Sequence, residues 1–395
     1  MPAAPAPRLR VLTLSTLFPD ASRRQLAPFV VRQTQALAAL PDMAVRVVAP
    51  LGLPPFPLTS HPHYAARARL PAREDWDGLD VLRPHFRHWP ATGGRWDAHA
   101  MAAALRAPLT ALRAEFPFDV IDAQFFFPDG PAAIALGQFF GVPVSIKARG
   151  ADIHYWARRW PTQTQILNAA QAADGLLAVS AALKGDMVAL GLPDAAIRVH
   201  YTGVDLTQFR IMDRSAARAA LGVSGPLIVA VGALIPRKRQ ALLIAALGQL
   251  PGVTLALIGD GPDRAELQRH AQAAGLAGRI HFLGVLDRAR IVQWLNAADA
   301  MALPSASEGL ANVWLEALAC GTPIVITDVG GAREVLIDQR GGQIVPPDAS
   351  SIAAALRRIL RHPPDRAACR ALADRFTWAA NAQALRDHLL LLAGK

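Results

Sequence analysis

Short apolar runs alternate along the chain with amphipathic stretches of about 10–15 residues, the order expected of βα units feeding a parallel sheet. In the first half this predicts strands at 10–15, 45–50, 79–84, 119–124, 142–148 and 175–180. The second half repeats the pattern at 226–232, 253–259, 280–284, 300–305 and 322–328. Helices are predicted between them, at 27–40 with Val30, Thr34 and Leu37 on one face, and at 97–115, where strong helix formers dominate. Residues 211–226 read as linker plus a short helix, which places a boundary near 205–215. The prediction is an α/β protein of two Rossmann-like βαβ domains, 1–205 and 206–375, facing a central cleft. An amphipathic helix within 376–395 follows, and the pattern does not name its packing partner.

Composition fits this picture. A chain of 395 residues that is 52% hydrophobic can bury two cores, which excludes a disordered tail or a disulfide-stapled scaffold. Two cysteines, Cys320 and Cys369, supply neither a disulfide framework nor a metal-ligand pair, so no metal is expected. No run reaches the roughly 18–20 apolar residues of a membrane span, and the opening MPAAPAPR lacks the basic-then-apolar order of a signal peptide. A cytoplasmic protein is expected. The net charge of +10 is spread over both halves, without a helix-turn-helix, a zinc pattern or a basic run interleaved with aromatics, so nucleic acid is not an expected partner. Trp156 and Trp160 beside Arg158 and Arg159 fit either an anionic membrane surface or a solvated helix face.

Ligands of open α/β sheets seat beyond the carboxyl ends of the strands. The richest such segment is 303–334: a strand ends near Ser305, a loop carries Ser307, Glu308 and Gly309, and a helix begins about Ala311. Free N–H groups and the helix dipole around Gly309, Leu310 and Ala311 suit a phosphate. Glu316 lies roughly 6 Å along that helix and leans back toward its start, where its carboxylate can accept two ribose hydroxyls. Glu308 would then face the group beyond the diphosphate, such as a sugar ring. From spacing alone, a solvated helix carboxylate at Glu316 and a dipole partner at Glu308 fit equally well.

The string Glu308-Gly309 through Glu316-Ala317, then Ala319-Cys320-Gly321-Thr322-Pro323 and Gly330-Gly331-Ala332-Arg333-Glu334, resembles the Glu-x7-Glu signature of the family 4 retaining glycosyltransferases of GT-B fold. Segments 18–37, 122–130, 148–152, 202–205, 231–238 and 258–267 follow the family's order, nearest to members of teichuronic-acid and exopolysaccharide biosynthesis. The resemblance implies that Glu316 holds ribose and Glu308 the donor sugar, with Arg237 and Lys238, after Gly232, on the diphosphate. Fixed cations there suit a leaving group that gains negative charge, and they would be oddly placed at a merely solvated helix start. Three positions depart from the family pattern: Ala233 stands where many members have arginine, Arg149 where many have histidine, and Ala27 where many have glycine.

Arg149 and Asp152, past a strand end beside Lys147, read as catalytic-face residues or as a structural ion pair. Phe125, Phe126 and Phe127 read as core or as an acceptor groove. Asp75-Trp76-Asp77 matches a metal-binding Asp-x-Asp pattern but sits in a segment that reads as loop. Gly259-Asp260-Gly261 reads as a tight turn, because Arg264 stands where a dinucleotide fingerprint needs glycine. The implied function is metal-independent, retaining transfer of a sugar from a nucleoside diphosphate donor to a surface polysaccharide, glycolipid or lipid-linked precursor, with no other cofactor. It is placed in the cytoplasm, with peripheral contact at the inner face of the plasma membrane. A nucleotide-sugar epimerase of the same fold and a non-catalytic glycan-assembly scaffold are the alternatives.

Overall fold

A computed structural model describes residues 7–395, so the first six residues, with most of the opening segment read above, lie outside it. The chain forms two compact units, one running to Thr202 and resuming at Trp378–Lys395, the other Gly203–Thr377.

The N-terminal unit holds an eight-stranded sheet. Its order is Ile197–Val199, Gly175–Ala178, Val144–Ala148, Val120–Ala123, Leu9–Leu14, Met43–Val48, Leu79–Leu82 and Arg73–Trp76. All neighbours are parallel except the last pair. The central strands are apolar because helices cover both faces, and a parallel strand buried on both sides has no polar side to alternate with. Arg73–Trp76 is different: it is an antiparallel edge strand whose residues alternate between exposed and half-buried. The segment read as loop is therefore a strand as far as Trp76, and Asp77 turns the chain with φ +51. An edge needs only one apolar face, so charged side chains are tolerated there and the apolar signal is lost. A second, two-stranded ribbon pairs Leu51–Leu53 with His85–Arg87.

The C-terminal unit holds six parallel strands in the order Ile280–Gly284, Thr254–Ile258, Leu227–Val231, Ala300–Leu303, Ile324–Thr327 and Gly342–Val345. Ile228, Leu255, Ala302 and Val325 meet Leu243, Ile244 and Ile352 from the covering helices in one core. The Gly259 turn packs on the backbone of the strand exit beside it: a methyl group there would lie 2.1 Å from the Gly232 carbonyl oxygen.

The final helix, Trp378–Leu392, belongs to the N-terminal unit. Leu385 and Leu389 enter a core with Leu9, Val11 and Leu37, His388 bonds Ser145 at 3.0 Å, and Arg386 pairs with Asp42 at 2.5 Å. No helix among the described residues is long and apolar enough to cross a membrane.

Candidate functional site

The winding of the C-terminal sheet reverses between Leu227–Val231 and Ala300–Leu303, which lie side by side. Both chains leave at the carboxyl edge, where such a reversal opens a crevice. Gly232 and the turn Pro236–Lys238 follow the first strand, and the loop 304–311 follows the second. The Ala306 N–H donates to the Arg237 carbonyl at 2.7 Å and ties the two loops together. Arg239, with φ +51, then redirects the chain into the helix Gln240–Leu247.

Glu308 is the centre of this arrangement. Its buried carboxylate accepts from Lys238 Nζ at 2.5 Å and from Arg237 Nη1 at 3.1 Å, and Arg237 also donates to the Ser307 carbonyl. Burial pushes the Glu308 carboxyl up, but Lys238 and Arg237 together outweigh it and hold the group below its ordinary value. Behind the loop, the Gly331 N–H donates to the Gly309 carbonyl at 2.9 Å. Gly330, at φ +50, makes this approach possible, since a methyl group there would lie 2.3 Å from the Glu308 carbonyl oxygen.

Leu310 and Ala311 are buried and lead into the helix Asn312–Ala319, whose start no side chain caps. Its first N–H groups and the dipole favour an anion. Trp314 and Leu315 are fully buried and fix the helix, leaving Glu316 half-buried one turn in. Burial raises the Glu316 carboxyl to about 6 against the opposing pull of Arg288. Ala233, where the resemblance expects arginine, is exposed, and its carbonyl accepts from Gln240 Nε2 at 2.9 Å.

In the N-terminal unit the winding reverses between Leu9–Leu14 and Val120–Ala123. Thr16, beyond the first strand, donates its N–H at 3.1 Å and its hydroxyl at 2.7 Å to Asp129. Burial lifts Asp129 to about 7 despite both donors. Lys147, fully buried, donates to Gln33 Oε1 at 2.7 Å and to His200 Nδ1 at 2.5 Å. The His200 Nε2–H is given to the Asn381 carbonyl at 2.8 Å, which leaves Nδ1 as the acceptor. Burial drives Lys147 and His200 well below their ordinary values and lifts Asp122 to about 6.

Arg149 stands at the edge of this network. Its guanidinium donates to the Gln124 carbonyl at 3.0 Å and to the Gln124 and Gln33 side-chain oxygens, and it lies over the Phe29 ring at 4.8 Å. Burial brings it down to about 10. The guanidinium does not bond Asp152, as an ion pair would require. The Asp152 carboxylate instead accepts backbone N–H groups of Arg149 at 3.0 Å, Gly150 at 2.8 Å, Ile153 at 3.2 Å and Phe126 at 3.1 Å. Asp152 thus holds the loop that carries Arg149, and its acceptor positions are filled. Phe125, Phe126 and Phe127 are buried, so the aromatic run is core.

Sequence reasoning named Asp129 only as part of a possible acceptor groove, and it missed Gln33, Gln124 and Asp122. The signals were present: Gln33 interrupts the apolar face of the helix Pro28–Ala38, and Asp122 is a charge inside an apolar strand. Ala27 sits in the left-handed region at φ +39, a conformation that explains a glycine preference there without any close approach of a ligand.

This layout agrees with known proteins. Residues 29–208 match the pattern described as Glycosyltransferase Family 4, and residues 213–375 match Glycosyl transferases group 1. The glycogen synthase of Mycobacterium tuberculosis is 30% identical over 396 residues, covering 95% of this chain and 93% of that protein. A D-inositol 3-phosphate glycosyltransferase of Mycobacteroides abscessus is 40% identical over 160 residues, covering 38% of this chain and 36% of the relative. Over the full fold, HepE of Anabaena in complex with UDP-glucose superposes with a TM-score of 0.73 at 21% identity, covering 96% of this chain and 99% of HepE. The chain therefore belongs to the family 4 glycosyltransferases, sugar-transferring enzymes of GT-B fold.

Proposed function

We propose that the chain moves a sugar from a nucleoside diphosphate donor to a hydroxyl of a surface polysaccharide, glycolipid or lipid-linked precursor. The anomeric configuration is retained, and the enzyme works in the cytoplasm against the inner face of the plasma membrane. One observation carries the reading: Glu308 is clasped by Lys238 and Arg237 beside the uncapped start of Asn312–Ala319, with Glu316 one turn behind. Arg237 and Lys238 hold the diphosphate with the N–H groups around Gly309, Leu310 and Ala311, and Gly232 lets the phosphates approach its backbone. Glu316 accepts the ribose hydroxyls, and Glu308 faces the donor sugar.

In the reaction, the acceptor oxygen forms its bond to the anomeric carbon as the bond to the diphosphate breaks. The acceptor proton passes to the departing phosphate on the same face. The fixed cations neutralise the charge that develops there, so no metal or other cofactor enters the scheme. Arg149 is assigned to the acceptor side, with Asp152 keeping its loop in place. UDP-glucose bound to HepE supports a nucleotide sugar as donor.

Calorimetric titration of UDP, GDP and ADP into the protein, without and with Mg²⁺, tests the reading. One nucleotide is expected to bind equally well in both conditions, and its affinity should collapse in Glu316→Ala. A folded protein that binds none of the three would sink the proposal and favour a scaffold. Conversion of donor sugar with no acceptor present would favour an epimerase.

A further inference from the structure

Every tryptophan and tyrosine that is well exposed among the described residues, Trp89, Trp96, Tyr155 and Trp160, falls within residues 89–160 of the N-terminal unit. Trp160 is 75% exposed. These side chains are interleaved with arginine: Arg95 lies 4.9 Å from the Trp96 ring and 5.4 Å from the Trp160 ring, Arg159 lies 4.0 Å from Tyr155, and Arg87 lies 5.8 Å from Trp89. Contacts join the pieces. Gln165 donates to the Arg95 carbonyl, and His88 bonds Asp97 at the start of the helix that follows Trp96. The two-stranded ribbon adds Phe56, 83% exposed, because the parallel strands Leu51–Leu53 and His85–Arg87 release the Phe56 and Trp89 loops at the same end.

The charge is one-sided. Segments 85–96 and 155–173 contain Arg87, Arg95, Arg158 and Arg159 and no aspartate or glutamate. Among the carboxylates tied to residues of these segments or next to them, Asp97 is buried against His88, and the half-exposed Asp186 is held by His154 at 2.8 Å. A surface that exposes indole rings and guanidinium groups together, with cations in excess, matches a layer with an apolar interior beneath an anionic face. The patch also joins the loop assigned to the acceptor: Trp156, which stacks against Phe127 at 5.1 Å, begins seven residues after Arg149 in the chain.

We infer that this aromatic and arginine patch seats the N-terminal unit on an anionic phospholipid surface and presents the Arg149 loop to an acceptor held there. The inference deepens the reading of a lipid-linked or surface acceptor and rests on it. The exposed rings insert at headgroup depth, and the arginines pair with lipid phosphates.

The test is co-sedimentation of the full-length chain with vesicles of phosphatidylglycerol and phosphatidylcholine or of phosphatidylcholine alone, with UDP affinity measured on each sample. Binding to the anionic vesicles should exceed binding to the neutral ones at least tenfold and weaken as salt rises. It should fall at least tenfold in Trp96→Ser/Trp160→Ser and in Arg95→Glu, with UDP affinity unchanged. Failure of the protein to bind anionic vesicles, or variants that bind like the parent, would overturn the inference. A tryptophan fluorescence shift caused by a water-soluble oligosaccharide and not by vesicles would also overturn it and assign the patch to glycan. Vesicle binding without UDP binding would retain the surface and reject the donor reading, so the two failures are distinguishable.

Discussion

The C-terminal unit and the N-terminal unit both place charged residues where a parallel sheet reverses its winding, and they use them in opposite ways. In the C-terminal unit Arg237 keeps 40% of its side chain exposed, and Lys238 and Glu308 answer one another directly across two loops. On the proposed reading, those are the cations that a diphosphate takes over. In the N-terminal unit Lys147 and Asp122 are sealed and are met by the neutral amides of Gln33 and Gln124. Burial there pushes acids up and bases down, which is the sign of groups kept from water. Charge is met by charge in the first case and by neutral amides in the second.

The comparison breaks most readily at Lys238. Lys238→Met should lower kcat by about 10²–10³-fold in a transfer assay, because a fixed cation at the leaving group is lost. Retention of full turnover would move the diphosphate elsewhere. Next is Lys147→Met, which strands His200 Nδ1 in the interior and leaves Gln33 Oε1 with the longer 3.4 Å bond from Arg149 alone. It should lower unfolding free energy by about 2 kcal/mol in urea titrations while leaving UDP affinity unchanged. A change in affinity with no loss of stability would make the buried network part of the ligand site.

Acidity gives a smaller effect. In the role proposed for Glu316, ribose hydroxyls donate to its ionised form, and burial raises its carboxyl to about 6 in the free protein. UDP affinity should therefore be flat above about pH 6 and fall up to tenfold per unit below it, which titrations across pH 5–8 would show. The raised value has a second consequence. The folded state holds this proton more tightly than the unfolded chain, so Glu316 subtracts stability as pH rises from its ordinary value to about 6, and the loss stays constant above that. Glu316→Gln should raise the melting temperature at pH 7 even as it weakens UDP. The smallest effect is at Ala27: substitution by glycine relieves a left-handed backbone and should add about 0.5–1 kcal/mol to unfolding free energy.

The parts of the fold legible from sequence were those where burial alone sets the pattern. Leu227–Val231 and Ala300–Leu303 are apolar throughout because helices cover both faces. The edge Arg73–Trp76 escaped because it answers to a single neighbour and to water, which leaves its charged residues alternating between exposed and half-buried. The site divides in the same manner. Glu308 and Glu316 are eight positions apart on one loop and helix, so their relation could be read locally. Lys238 meets Glu308 across 70 positions, and that meeting depends on which two strands lie side by side. The partners of Asp152 were not legible for a related reason: a carboxylate that gathers backbone N–H groups has no partner visible in side-chain spacing.

The return of the helix Trp378–Leu392 to the N-terminal unit governs the order in which the molecule can be completed. The residues 203–377 are an insertion whose ends are zipped together, with the Val204 N–H donating to the Phe376 carbonyl at 2.7 Å. During synthesis that insertion has all of its own partners before the ribosome reaches Leu385 and Leu389. Leu9, Val11 and Leu37, made well before them, must wait for them. The half of the enzyme that is translated first is therefore the half that is finished last, and its early apolar surface is what a chaperone would meet on the nascent chain.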